Sequence, residues 1–116
     1  MPTIIYCRVS TAGQEQGGVS LDAQADVCRR AALANKLPGL MVVQEVSSAY
    51  KTTPPLLDGL SRKKAHVMVF YAVDRFSRRE SDGIGMASRM IKNKCILIFI
   101  REKLQINTVG GERWEK

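Results

Sequence analysis

Two short segments set a hydroxyl, arginines and a carboxylate at spacings that suit attack on an anion. The first is Tyr6-Cys7-Arg8-Val9-Ser10-Thr11, which leaves an apolar run and enters Ala12-Gly13-Gln14-Glu15-Gln16-Gly17-Gly18. A hydroxyl on such a loop can act as a nucleophile. An arginine two residues away neutralises the anion under attack when both project to the same side. The plainer reading has Ser10 making a turn hydrogen bond and Arg8 solvating the surface. The second segment, Val73-Asp74-Arg75-Phe76-Ser77-Arg78-Arg79, follows a buried apolar run. Arg75 and Arg78 are three apart, so one helical turn places them on a common face where two guanidiniums can share one phosphate. Asp74 is placed to orient Arg75 or to accept a proton. Here the plainer reading is a solvated basic helix start, although arginines at a helix N-terminus oppose its dipole and so favour a bound anion.

Positioning these groups takes regular elements, and the chain alternates short apolar runs with longer amphipathic ones. Thr3–Cys7 reads as a strand. Leu21 to Lys36 reads as a helix, with Leu21, Ala25, Cys28, Ala32 and Leu33 at helical spacing, Ser20 as its cap and Pro38-Gly39 as its stop. Leu40–Val46 is a second strand. Pro54 and Pro55 open a second helix with Leu56, Leu57 and Leu60 on one side and Arg62-Lys63-Lys64 at its C-terminal end. His66–Ala72 is apolar enough for a strand buried on both faces. Glu80 to Lys92 follows as a helix with Ile84, Ala87, Ser88 and Ile91 as the inner stripe, and Cys95–Ile100 closes the series as a strand. This order predicts an α/β fold: three layers, a mostly parallel sheet with helices on both faces, over residues 1–100. Right-handed crossovers then gather the loops after each strand along one edge, where α/β sites collect. Residues 101–116 read as a short polar C-terminal tail.

The chain has 116 residues, 45% hydrophobic and 25% charged, which fits one globular domain and excludes a disordered, collagen-like or disulfide-scaffold chain. Eighteen Lys+Arg against eleven Asp+Glu leave a formal charge of +7. A polyanion, nucleic acid first among them, is the partner this balance suggests, while solubility also accounts for it. Cys7, Cys28 and Cys95 form no C-x-x-C pair, and the lone His66 is expected to have no nearby thiol to share a metal with. Neither a metal nor another cofactor is therefore expected. The N-terminus lacks a signal peptide, and the longest apolar runs fall far below the ~20 residues that span a bilayer. A soluble intracellular protein, cytoplasmic or nucleoid/nuclear and without a membrane partner, is the expectation.

Together the segments match a known order. Tyr6-x-Arg8-Val9-Ser10-Thr11, Gln14, Gly18-Val19-Ser20-Leu21-x-x-Gln24 and Asp74-Arg75-x-Ser77-Arg78 resemble the serine site-specific recombinases, the resolvase and invertase family. The resemblance covers about residues 3–100. It implies a resolvase-like catalytic domain that cuts and rejoins DNA through a 5′-phosphoserine intermediate, in resolution, inversion, integration or transposition, without metal or nucleotide cofactor. Ser10 would be the nucleophile, and Arg8, Arg75 and Arg78 would hold the phosphate oxygens. Asp74 would orient the arginines or assist proton transfer. Tyr6 and Gln14 would support the nucleophile loop, with Gln24 behind it. The partners implied are DNA and further copies of the chain, as a dimer or tetramer. The stretch Gln16-Gly17-Gly18-Val19 is more similar to the large serine recombinases and transposon relatives than to the compact resolvases.

Two departures stand out. The family usually carries an arginine before the second helix, where this chain has Pro54; Lys51 supplies a charge nearby but not a planar fork. Family members also continue into a long interface helix and a separate DNA-binding domain. The alternative is therefore a truncated, catalytically silent module that binds DNA or a full-length recombinase partner. The short chain also predicts exposed apolar surface.

Overall fold

The computed structural model describes residues 1–10, 19–47, 53–77, 80–107 and 112–113. Six strands form one sheet in the order β2-β1-β3-β4-β5-β6: β1 (Thr3–Val9), β2 (Leu40–Val46), β3 (Val67–Phe70), β4 (Ile96–Phe99), β5 (Leu104–Ile106) and β6 (Glu112–Arg113). The first four are parallel and the last two antiparallel. Helix α1 (Leu21–Ala34) packs Ala25 and Cys28 against Ile5, Cys7, Val67, Val69 and Ile98 on one face of the sheet. On the other face, α2 (Pro55–Ser61), the single turn α3 (Val73–Phe76) and α4 (Glu80–Lys92) cover Ile4, Tyr6, Met68, Phe70, Leu97 and Phe99. The strand residues divide by parity because successive side chains point to opposite faces. The expected α/β sandwich of helices on both faces is thus present.

Details differ where local pattern competes with packing. β1 runs on to Val9 because its register with β2 continues through Arg8↔Glu45 and Val9↔Val46. In α1, Ser20 caps as expected, its hydroxyl accepting the Ala23 N–H at 3.1 Å, but Leu33 is 60% exposed and Gln24 is buried instead. In α2, Leu57 and Leu60 face the core, while Ser61 completes the buried arc and Leu56 faces out. The α4 stripe is turned by about one residue, roughly 100°. Met86 and Met90 reach the sheet, with Ala87 at their margin, while Ile84 and Ser88 are exposed. Unbranched methionine fills the irregular space beside Phe70 and Phe99.

The segment after residue 100 is more than a tail. Leu104 and Ile106 flank Gln105 in strict alternation, and β5 pairs with β4 through Phe99↔Leu104 and Leu97↔Ile106. Exposed apolar surface is present as expected: Val73, Phe76, Ile84, Ala87, Leu104 and Ile106 line a groove of about 220 Å³. Among the described residues no helix is long and apolar enough to cross a membrane.

Candidate active site

The strand order makes the location. After β1 the chain crosses outward to β2 on the α1 side, then returns past β1 to β3 on the α2 side. A parallel sheet opens a crevice beyond the carboxyl ends of its strands where the order reverses, because the following segments leave on opposite faces. Here that point lies between β1 and β3. The Arg8–Ser10 segment leaves one strand, and the segment carrying Asp74 and Arg75 leaves the other.

Arg8 bridges the crevice from within. Its side chain is 1% exposed. Nε donates to the Arg75 carbonyl at 3.1 Å, Nη2 to the Asp74 carbonyl at 2.6 Å and Nη1 to the Ser47 carbonyl at 2.9 Å. One planar fork thus holds α3 and the end of β2 to the end of β1, a task for which an ammonium lacks the geometry. The Arg8 backbone is tied as well. Gln24, fully buried on α1, accepts the Arg8 N–H at 3.1 Å and donates to the Arg8 carbonyl at 3.1 Å and the Val19 carbonyl at 2.8 Å. Ser10 follows this braced strand end and is exposed. The Ser47 N–H, donating to the Val9 carbonyl at 2.9 Å, holds the strand up to that point.

Across the crevice, α3 is held from below and from its start. Phe76 stacks edge-on against Phe70 and Phe99, with ring centroids 5.1 and 5.8 Å away. Glu102, in the β4–β5 turn, accepts the Val73 N–H at 3.1 Å, and Arg101 beside it reaches within 3.8 Å of the Asp74 carboxylate. Gly83 lets α4 approach: a Cβ there would meet the Ser77 Cβ at 3.2 Å. Arg75 is 8% exposed, and its Nε has no hydrogen-bond partner among the described residues, with Asp74 Oδ1 3.9 Å away. A buried guanidinium nitrogen left in this way is suited to an incoming anionic oxygen.

Not every expected residue gathers here. The α3 turn ends at Phe76 and Ser77 is extended at φ −156°, so the single helical turn proposed to align Arg75 with Arg78 does not continue that far. Arg78, Gln14 and Lys51 lie outside the described residues. Tyr6 is inside the protein but serves a different loop from the one expected. Its hydroxyl donates to Glu45 Oε1 at 2.6 Å, and the same carboxylate accepts the Leu57 and Leu56 N–H groups at 3.2 and 2.8 Å. Burial, reinforced by the Glu45 carboxylate, keeps this phenol well above its ordinary pKa. Tyr6 and Glu45 thereby fix the start of α2, whose N-cap, Pro54, offers no side-chain hydrogen bond. Sequence reasoning passed over Glu45, Ser47 and Glu102. A lone carboxylate inside the apolar run Leu40–Val46 was the available signal for Glu45.

The cysteines take no part in this site. Burial pushes the Cys7 and Cys28 thiols up to about 12, so both remain protonated and inert. Cys95 does have a histidine neighbour, contrary to the sequence expectation, with Sγ 3.3 Å from His66 Nδ1 at the opposite edge of the sheet. Two ligands make no centre, and among the described residues no group of three or more His, Cys, Asp or Glu is placed to hold a metal.

Comparison with known proteins supplies the family. The model of the resolvase N-terminal domain matches residues 3–113. The chain belongs to the resolvase N-terminal domain family. Among solved structures, this resolvase-family domain is similar to the N-terminal catalytic domain of TP901-1 integrase, with 26% identity and a TM-score of 0.78, covering 93% of this chain and 84% of that one. It also shares its fold with the C-terminal catalytic domain of ISC1926 TnpA, an IS607-like serine recombinase. That match has 19% identity and a TM-score of 0.66, covering 86% of this chain and 70% of that one. No curated protein matches. The domain is accordingly a recombinase enzyme domain of the resolvase family, and its match extends through β5 and β6.

Proposed function

We propose that this domain cleaves and rejoins DNA through a covalent bond between Ser10 and a 5′-phosphate. Ser10 Oγ attacks the phosphorus, the Oγ–P bond forms and the P–O3′ bond breaks. The serine proton ends on the released 3′ oxygen, with Asp74 placed to assist. Attack by a 3′-hydroxyl on the phosphoserine reverses the step, so the ester conserves the bond energy and no nucleotide is consumed. Arg75, and Arg78 with it, meets the charge that builds on the non-bridging oxygens. Arg8 acts through its neighbours: it holds α3, and with it Arg75, against the strand that presents Ser10. DNA and further copies of the chain are the proposed partners.

The observation that carries this reading is the Arg8 fork, which binds the carbonyls of Asp74 and Arg75 two residues from exposed Ser10. Incubation with a nicked duplex followed by a denaturing gel is the test. A protein–DNA adduct absent from Ser10→Ala is expected, with duplex binding changed less than about twofold. An adduct that survives in Ser10→Ala contradicts the assignment. Pro54 in place of the expected arginine favours a second reading, a silent binding module, and that reading predicts duplex binding with no adduct in either protein.

A further inference from the structure

We infer that the sheet edge opposite the candidate active site is a second contact surface for the phosphate backbone of DNA. The inference rests on the DNA-cleaving reading of the first edge.

Three connections lead into parallel strands and so meet at the strands' amino ends: 35–39 before β2, 62–66 before β3 and 93–95 before β4. Backbone hydrogen bonds join them to one another and to the N-terminus. The Ala65 N–H donates to the Asn93 carbonyl at 2.8 Å, the Val67 N–H to the Pro2 carbonyl at 2.8 Å and the Thr3 N–H to the Gly39 carbonyl at 3.4 Å. This tied edge carries Lys36, Arg62, Lys63, Lys64, Lys92 and Lys94, all exposed. Arg62 pairs with Asp58 at 3.2 Å, but none of the five lysines has an ion-pair partner among the described residues.

Helix dipoles explain part of this arrangement, since α1, α2 and α4 all end here. Each C-terminus carries only roughly half a negative charge, about 1.5 in all, so most of the lysine charge remains. Lys36 and Lys94 are also placed at a cost. They sit at φ 56° and 65°, left-handed positions that glycine fills more easily. The connections before β2 and β4 lie three strand spacings apart, about 15 Å, which matches roughly four base-pair rises of a duplex. The edge is rigid, basic and free of an unpaired carboxylate among the described residues, which suits a sequence-independent phosphate contact. DNA is stiff over about 150 base pairs, so a straight duplex lying at Ser10 does not also reach this edge. A second segment, or a sharply bent flank, is what it would hold.

The test is fluorescence anisotropy with a 30-base-pair duplex over a salt series, comparing the whole chain with Lys36→Gly/Lys63→Gln/Lys64→Gln/Lys94→Gly. Glycine suits both left-handed positions, and circular dichroism checks folding; Lys63→Gln/Lys64→Gln serves alone if the fourfold variant fails to fold. The slope of log affinity against log salt is expected to flatten by about 0.9 for each phosphate that a lysine no longer neutralises, up to about 3–4 for the fourfold variant. An unchanged slope overturns the inference. Loss of polyglutamate binding with duplex binding retained also overturns it, by making the edge a surface for acidic protein. Adduct formation at Ser10, measured on the same proteins, reads the active-site proposal separately: absence of an adduct together with a flattened slope removes that reading and leaves this one.

Discussion

The two edges of the parallel sheet are built from the same parts, strand ends meeting helix ends, yet they handle polar groups in opposite ways. At the carboxyl edge Arg8, Gln24 and Glu45 are buried, and each joins elements far apart in sequence. Arg8 spans β1, β2 and α3, Gln24 ties α1 to β1, and Glu45 ties β1 and β2 to α2. At the amino edge five lysines stand in solvent without ion partners among the described residues, only Arg62 being paired, and the buried His66 ring keeps an Nε2 with no hydrogen-bond partner among the described residues. Buried polar groups cost free energy unless satisfied, so a network of them is worth building only where position matters. One edge therefore holds a few groups in fixed places, and the other presents a diffuse charge.

This contrast predicts that substitutions at the carboxyl edge cost much more than those at the amino edge. Arg8→Ala is expected to be the largest, a loss of about 3 kcal/mol, because three carbonyls lose their donor. Urea denaturation measures it, and a loss under about 1 kcal/mol would place Arg8 at the surface in function if not in position. Gln24→Ala is expected to cost about 2 kcal/mol, since it orphans the buried Arg8 N–H and carbonyl. Tyr6→Phe is expected to cost about 1 kcal/mol, because Glu45 keeps its two backbone donors. A Tyr6→Phe protein as unstable as Arg8→Ala would break this ranking.

The smallest effect belongs to the amino edge and appears only on acidification. Burial, with Lys63 adding to it, depresses the His66 pKa below its ordinary value, against a weaker opposing hydrogen bond at the Lys64 backbone. The unfolded chain therefore takes up this proton first as pH falls through about 6.5. Stability contributed by neutral His66 is fully present above that pH and is lost progressively down to the folded-state value. Thermal midpoints from pH 7.5 to 5 should fall more steeply for the native chain than for His66→Gln; parallel curves would show that His66 is not what titrates.

Much of this architecture is legible in the residues themselves. The strand and helix order, the Ser20 cap and the burial of the continuous apolar strands follow from periodicity and composition. Helix faces were less legible. Leu56 and Ile84 are as apolar as their buried neighbours, and only the sheet's position decides that Ser61 and Met90 turn inward instead. β5 was hidden because three residues alternate too briefly to stand out after the polar Arg101-Glu102-Lys103 turn. At the candidate site, Arg8, Asp74 and Arg75 stood out by type and order, and Gln24 only through the family resemblance. Glu45, Ser47 and Glu102 were not, because two of them act on backbone groups of distant segments and Ser47 contributes its backbone carbonyl and N–H. Nothing in a side-chain pattern announces such partners.

The central claim is that the braced carboxyl edge presents Ser10 to a DNA phosphate, and its most direct measurement is a peptide map of trapped adduct. The duplex is cut away with nuclease, the protein digested, and the peptides weighed. A nucleotide mass on the peptide containing Ser10, joined through its 5′-phosphate and absent in Ser10→Ala, is the predicted result. A nucleotide on any other residue, or adduct in equal yield from Ser10→Ala, would contradict it.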